Sequence, residues 1–207
     1  MSQVTDVGLM LPFSLPIVKF TRSKSNYTEE RNFIMSLHRN NKMDLKTSEE
    51  TNILDREELS DLKMFFNECL NVYLKEIWKT SNTIDISQSW SNVLEPNDYH
   101  GEHTHCGSIL SVCYYLDNTE DTPIHFMSPH DSHALYGLTV TDYTPENCSE
   151  WSVKCDSNEL VIFPSFVRHK VPTNYTSEKR YNVVCNTQYK SREHYGMPGK
   201  VNTVFIK

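Results

Sequence analysis

No apolar run in this 207-residue chain is long enough to cross a bilayer, which argues against a membrane-embedded protein. The opening residues, Met-Ser-Gln-Val-Thr-Asp-Val-Gly, lack a basic segment followed by an apolar one, so no export signal is read. The six cysteines (Cys69, Cys106, Cys113, Cys148, Cys155, Cys185) show no Cys-x-x-Cys spacing. Without export, the expectation is free, reduced thiols in a cytoplasmic protein. Positive charge is also short: 20 Lys and Arg against 27 Asp and Glu give a net charge of −7. Phosphate binding depends on Lys and Arg, so this balance argues against a nucleic-acid partner. There is no internal repeat and no low-complexity stretch.

What is present fits a globular protein able to bury a core, with 38% hydrophobic residues. The length suggests a single domain over 1–207, with mainly helical support in 1–83, a β-rich core in 84–190 and an extension in 191–207. Residues 8–20, apolar and interrupted by proline, read as an edge strand or strap. A helix is expected over 27–39, with Thr28 as N-cap and acidic residues in its first turn. The polar stretch 40–54 reads as a loop. Leu59, Leu62, Phe66, Leu70, Tyr73, Leu74 and Ile77 recur at helical spacing and predict a helix over 55–78 with one face on a sheet. From residue 84 short β-branched and aromatic runs take over, at 84–93, 108–116, 123–127, 134–140, 150–154, 159–164 and 179–186. Helices first and strands after indicate an α+β class, with a sandwich or barrel and the helices packed outside.

The chemistry concentrates in three histidines and one arginine. His103 and His105 stand one residue apart in Tyr99-His-Gly-Glu-His-Thr-His105, and His169 lies in Phe163-Pro-Ser-Phe-Val-Arg-His-Lys-Val-Pro172. Arg180 follows eleven positions later. On an extended chain i and i+2 point to one face, so His-x-His aims two imidazoles into one space. A third histidine from a distant strand would complete one face of an octahedral metal ion, leaving positions open for reaction. Glu102 and Arg168 have the wrong parity and should face away. His38, His125, His130, His133 and His194 read as structural, and His100 as a solvated loop residue, with the mouth of the pocket as its alternative place. Trp90 reads as core, and Cys106 and Cys113 as small packing residues.

In order along the chain come Ser89-Trp-Ser-Asn92, His103-Thr-His105, Leu110-Ser-Val-Cys-Tyr-Tyr-Leu116, Leu160-Val-Ile-Phe-Pro-Ser165, His169, Arg180 and Val183-Val-Cys-Asn186. This ordered set resembles the 2-oxoglutarate- and iron(II)-dependent oxygenases of bacteria and tailed phages. The resemblance covers 84–190 well and the N-terminal third only in outline. It implies a double-stranded β-helix, or jelly-roll, core with N-terminal helices outside. It implies an enzyme that hydroxylates a substrate while converting 2-oxoglutarate and O2 to succinate and CO2. His103, His105 and His169 would hold Fe(II). Arg180 would grip the far carboxylate of 2-oxoglutarate with parallel hydrogen bonds, helped by Tyr115 and Asn182, with Asn92 turned into the cavity.

Two departures stand out. Most of that superfamily has an acid where this chain has His105, with Asp98 and Glu102 as the nearest alternative carboxylates. Asn158-Glu159 also replaces a glycine-containing turn. Two other readings remain: a cupin-like three-histidine metalloenzyme without 2-oxoglutarate, and a non-catalytic jelly-roll protein. The substrate, a small molecule or a protein side chain, is not written in the sequence, and homo-oligomerisation is open. Rim segments 94–102 and 128–149 carry Glu95, Asp98, Glu102, Asp131, Asp142 and Glu146. That acidic rim hints at a cationic or polar substrate.

Overall fold

The computed structural model describes residues 14–23, 27–39, 46–117, 119–129 and 139–190. Most of the predicted strand 134–140, His130, His133, Asp131, His194 and the extension 191–207 lie outside these residues. Among the described residues, nine strands form two antiparallel sheets: β1 (Val18–Thr21), β2 (Ile84–Leu94), β3 (His100–His103), β4 (Leu110–Tyr115), β5 (Ile124–Met127), β6 (Glu150–Val153), β7 (Glu159–Pro164), β8 (His169–Val171) and β9 (Arg180–Tyr189). One sheet has the order β1-β7-β4-β9-β2, the other β3-β8-β5-β6. Two helices precede most of them, α1 (Thr28–Arg39) and α2 (Ser60–Val72). None of the helices described is long and apolar enough to cross a membrane.

The predicted helix 55–78 is not one continuous α-helix. Short 3-10 turns occupy Ile53–Asp55 and Glu57–Leu59, separated by Arg56 in an extended conformation. After α2 the chain widens into a π-helical turn, Tyr73–Ile77. The wider turn changes the rotation per residue, so Ile77 leaves the buried stripe and is 42% exposed while Leu74 stays inside. The expected loop 40–54 also differs where it is described. Its backbone bridges β2 at Thr47–Asn92 and Asn52–Ser89, which covers that sheet edge. The strands expected to carry His103 and His169 are short, β3 with four residues and β8 with three.

The five-stranded sheet is buried on both faces, and alternation sorts its residues. Leu110, Val112, Tyr114, Leu160, Ile162, Val183 and Cys185 join Leu59, Leu62, Phe66, Leu70 and Tyr73 in a core between sheet and helices. Their neighbours Cys113, Tyr115, Val161, Phe163 and Val184 join Ile124 and Phe126 of the second sheet in a core between the sheets. Fully burying one such Leu or Phe contributes roughly 1.5–3 kcal/mol. The larger helix-side core therefore anchors the sheet whose opposite face builds the site. All six cysteines are unpaired, and Cys106 is exposed, contrary to its expected packing role.

Candidate metal centre

β3 and β8 bring two histidines together as direct cross-strand partners, His103 opposite His169. The register slips between His100 and His103, so an extra residue sits in β3. Such a bulge re-aims side chains. It also presents the Gly101 carbonyl to His103 Nδ1 at 2.8 Å. His105 lies beyond the end of β3, not on a continuous strand as the spacing suggested. Its N–H donates to the Ser165 carbonyl at 3.0 Å, and a turn with Gly107 at φ 79° leads into β4. Loop geometry, rather than strand parity, therefore delivers the second imidazole.

The three ring nitrogens converge. One ligand atom from each of His103, His105 and His169 lies within 4.8 Å of the others. Each Nδ1 is engaged from behind: His103 by Gly101 O, His105 by Asn186 Oδ1 at 2.7 Å, and His169 by Val167 O at 3.0 Å. A carbonyl oxygen only accepts, so each Nδ1 carries the proton and each Nε2 presents a lone pair. Nε2 of His105 and His169 approach to 3.3 Å. Two lone pairs at that distance repel unless a cation lies between them. A proton is a poor candidate, because burial brings His169 down to about 3 and also lowers His105. The chemistry of this donor set therefore fits a divalent metal.

Aromatic rings hold the cluster in place. Trp90 stacks on His105 with centroids 5.9 Å apart, and the edge of Phe163 meets His169 at 4.8 Å. Trp90, read as core, packs against the inter-sheet core and also forms the cavity wall. His100, read as a solvated loop residue, lies on β3 with its ring 4.2 Å from that of His103. Trp90 thus lines the cavity as well as the core, and the exposed His100 takes the pocket-mouth position that was its alternative reading.

The histidines sit in a cavity of about 410 Å³ between the sheets. A smaller hollow of about 140 Å³ shares Asn92, His100 and Asn182 with it and is lined by Arg180. Arg180 is 6% exposed, and its Nε and Nη2 are buried without a hydrogen-bond partner. Its guanidinium carbon stands 5.1 Å from the Tyr115 ring centroid. Burial pushes the Tyr115 phenol well above its ordinary range, so it remains a neutral hydrogen-bond donor. Asn92 Nδ2 donates to Asn182 Oδ1 at 2.9 Å, and Trp90 Nε1 donates to Asn92 Oδ1 at 3.0 Å. Asn182 and Asn92 are register partners on β9 and β2. Buried, unpartnered guanidinium donors are costly, and they mark a place for an anion.

Of the alternative carboxylates, Glu102 faces outward, and Asp98 lines the smaller hollow with Arg180 but is engaged by a lysine. Glu102 accepts from Arg168 at 2.6 Å on the outside, as parity suggested. Asp98 pairs with Lys46 at 3.0 Å. His125 hydrogen-bonds to Glu150, and His38 meets Ser91 Oγ at 3.0 Å, both away from the cluster. The residue that sequence reasoning missed is Asn186. Its parity with Arg180 and Asn182 on β9 was the available signal.

Residues 88–186 match the family described as "Putative 2OG-Fe(II) oxygenase". The chain is similar to the 2OG-Fe(II) oxygenases. Every histidine of the cluster, together with Trp90, Asn92, Tyr115, Arg180, Asn182 and Asn186, falls inside that match. Among solved structures, HygX from Streptomyces hygroscopicus with nickel and 2-oxoglutarate bound aligns at TM-score 0.57 and 10% identity, covering 84% of this chain and 81% of its own. The carbocyclase SnoK from nogalamycin biosynthesis, described as non-heme and alpha-ketoglutarate dependent, aligns at 0.58 and 13%, covering 84% and 82%. The chain spans 54% of a 2OG-Fe(II) oxygenase family oxidoreductase from Burkholderia pseudomallei, with 66% of itself aligned at 14% identity and TM-score 0.43. No curated protein sequence matches the chain. The description of that family names an oxygenase that uses Fe(II) and 2-oxoglutarate, and the three histidines are a group that could hold a metal ion.

Proposed function

We propose that the protein is an Fe(II)- and 2-oxoglutarate-dependent dioxygenase on a double-stranded β-helix core, hydroxylating a small molecule or a protein side chain. One observation carries this reading. Three imidazoles with proton-bearing Nδ1 and converging Nε2 stand beside a hollow lined by a buried arginine with two unpartnered donors. His103, His105 and His169 would hold the iron, which supplies oxygen-activating chemistry when bound. Arg180 would take the far carboxylate of 2-oxoglutarate through Nε and Nη2, a pair suited to two parallel hydrogen bonds. Tyr115 would donate its phenol to the same carboxylate. Asn182, oriented by Asn92 and Trp90, would line the path between the two ends. Phe163, Phe126 and Ile124 would keep water from the inner wall.

In this reading the chain is one domain, with 1–83 supporting a catalytic core at 84–190 and 191–207 as an extension. The six unpaired thiols support a reducing, cytoplasmic setting. SnoK is described as a carbocyclase and SnoN as an epimerase, so hydroxylation is one of several outcomes this fold supports. Anaerobic titration with Fe(II) and then 2-oxoglutarate, followed by visible absorption, tests the proposal. A charge-transfer band requiring both is the expected result. Tight iron binding without that band would favour a three-histidine enzyme that does not use 2-oxoglutarate. Loss of metal binding altogether would leave the cluster structural.

A further inference from the structure

Among the described residues, the wall of the cavity around the histidines carries no charged side chain. Its wall includes Trp90, Thr104, Cys106, Tyr115 and Asn186, and no Asp, Glu, Lys or Arg. The nearby acids are neutralised outside it, Glu102 by Arg168, Asp98 by Lys46, and Glu95 by Lys46 and Lys179. Of the acidic rim read from the sequence, Glu95, Asp98 and Glu102 are therefore ion-paired, while Asp142 and Glu146 are exposed. In the facial set of two histidines and a carboxylate, the protein itself offsets one charge of the ion. Here all three donors are neutral. A divalent ion, the Arg180 guanidinium and a 2-oxoglutarate dianion leave one positive charge unbalanced in a partly enclosed space, which is costly. The Thr104 hydroxyl and Cys106 thiol, 3.9 Å apart, are the neutral donors on this part of the wall, while the Asn186 amide lies behind His105 and reaches Gln88 at 3.4 Å.

We infer that the metal end of the cavity takes one monoanionic group in addition to 2-oxoglutarate, carried by the primary substrate as a carboxylate or present as free halide. The inference rests on the proposed Fe(II)/2-oxoglutarate reading, and it replaces the cationic substrate that the acidic rim suggested.

The test uses the full chain loaded with Co(II), whose visible bands report changes in coordination, at constant ionic strength. 2-Oxoglutarate is added to saturation, then azide, acetate or chloride. A second, saturable spectral change on adding an anion is expected. Saturation by acetate assigns the group to an organic carboxylate, and saturation by chloride alone assigns it to halide. Cys106→Asp places a carboxylate at an exposed position of the cavity wall without touching a ligand. It should weaken azide binding by about threefold, the size of a screened like-charge effect at an exposed position. Cys106→Asn, neutral and of similar size, should not. His105→Asp, which puts the missing charge in the donor set itself, should abolish the second change while keeping the first. A response to 2-oxoglutarate with no response to any anion would overturn the inference, as would equal azide affinity in wild type and Cys106→Asp. A spectrum that ignores 2-oxoglutarate would overturn the underlying reading, and the inference with it.

Discussion

The two faces of the five-stranded sheet solve different problems with alternate residues of the same strands. On β9, Tyr181, Val183 and Cys185 enter the helix-side core, while Arg180, Asn182 and Asn186 line the inter-sheet hollows. The first face is satisfied: apolar groups meet apolar groups, and burial stabilises the fold. The second is not. It holds a guanidinium with two orphaned donors and two imidazole nitrogens with opposed lone pairs. Stability is concentrated on one side of the sheet so that an unfavourable arrangement can be held on the other.

That contrast can be broken from either side. The largest effect is expected from Phe66→Ala on the helix side, which should lower unfolding free energy by about 3–5 kcal/mol in urea titration. Metal affinity of the remaining folded protein should hardly change. A matching loss of metal affinity would show that the two faces are coupled.

Arg180→Met should behave in the opposite way. It removes a buried cation with two unpartnered donors, so stability without ligand should hold or rise. Binding of 2-oxoglutarate should weaken by about a hundredfold or more, since two charge-assisted hydrogen bonds are lost. Calorimetry of the metal-loaded protein separates the two. Unchanged affinity would remove Arg180 from the anchor role.

The histidines make the inner face sensitive to acid. The folded pKa of His169 is about 3, below an unfolded value near 6.5. The unfolded chain therefore binds the proton first, and stability present above pH 6.5 is lost as pH falls towards 3. At pH 5 the metal-free protein should have lost on the order of 2 kcal/mol through His169. Denaturant titrations at pH 7.5 and 5 measure this. A metal-free protein equally stable at both would contradict the buried, neutral state of His169.

The smallest effect tests orientation alone. Asn186→Ala removes the acceptor behind His105 Nδ1 and should cost about 10–100-fold in metal affinity. Asn186→Asp should restore much of it, while thermal stability changes little in either variant. Equal metal affinity in all three proteins would make Asn186 a bystander.

How much of this was legible depended on whether a residue acts through its neighbours in sequence or in space. The stripe from Leu59 to Leu74 and the alternation within β4, β7 and β9 follow local periods, and these were readable. The π-helical turn after α2 was not, because backbone widening is set by packing against the sheet. His103, His105, His169 and Arg180 were visible as residue types in order, and the structure brings them to one pair of connected hollows. The reason offered for His105 was incomplete: strand parity suggested its direction, but a hydrogen bond from its own N–H to Ser165 and the turn at Gly107 hold it there. His100 and Trp90 read as ordinary, because nothing local distinguishes a cavity wall from a core or a loop.

By itself the sequence determined the α+β order, the apolar faces and the inventory of metal donors, since each depends on side-chain chemistry and short-range period. Only the tertiary structure decided which acids are neutralised, which nitrogens carry protons and which guanidinium donors remain unpartnered. Those properties depend on distances between residues far apart in the chain, and a linear pattern does not encode distance.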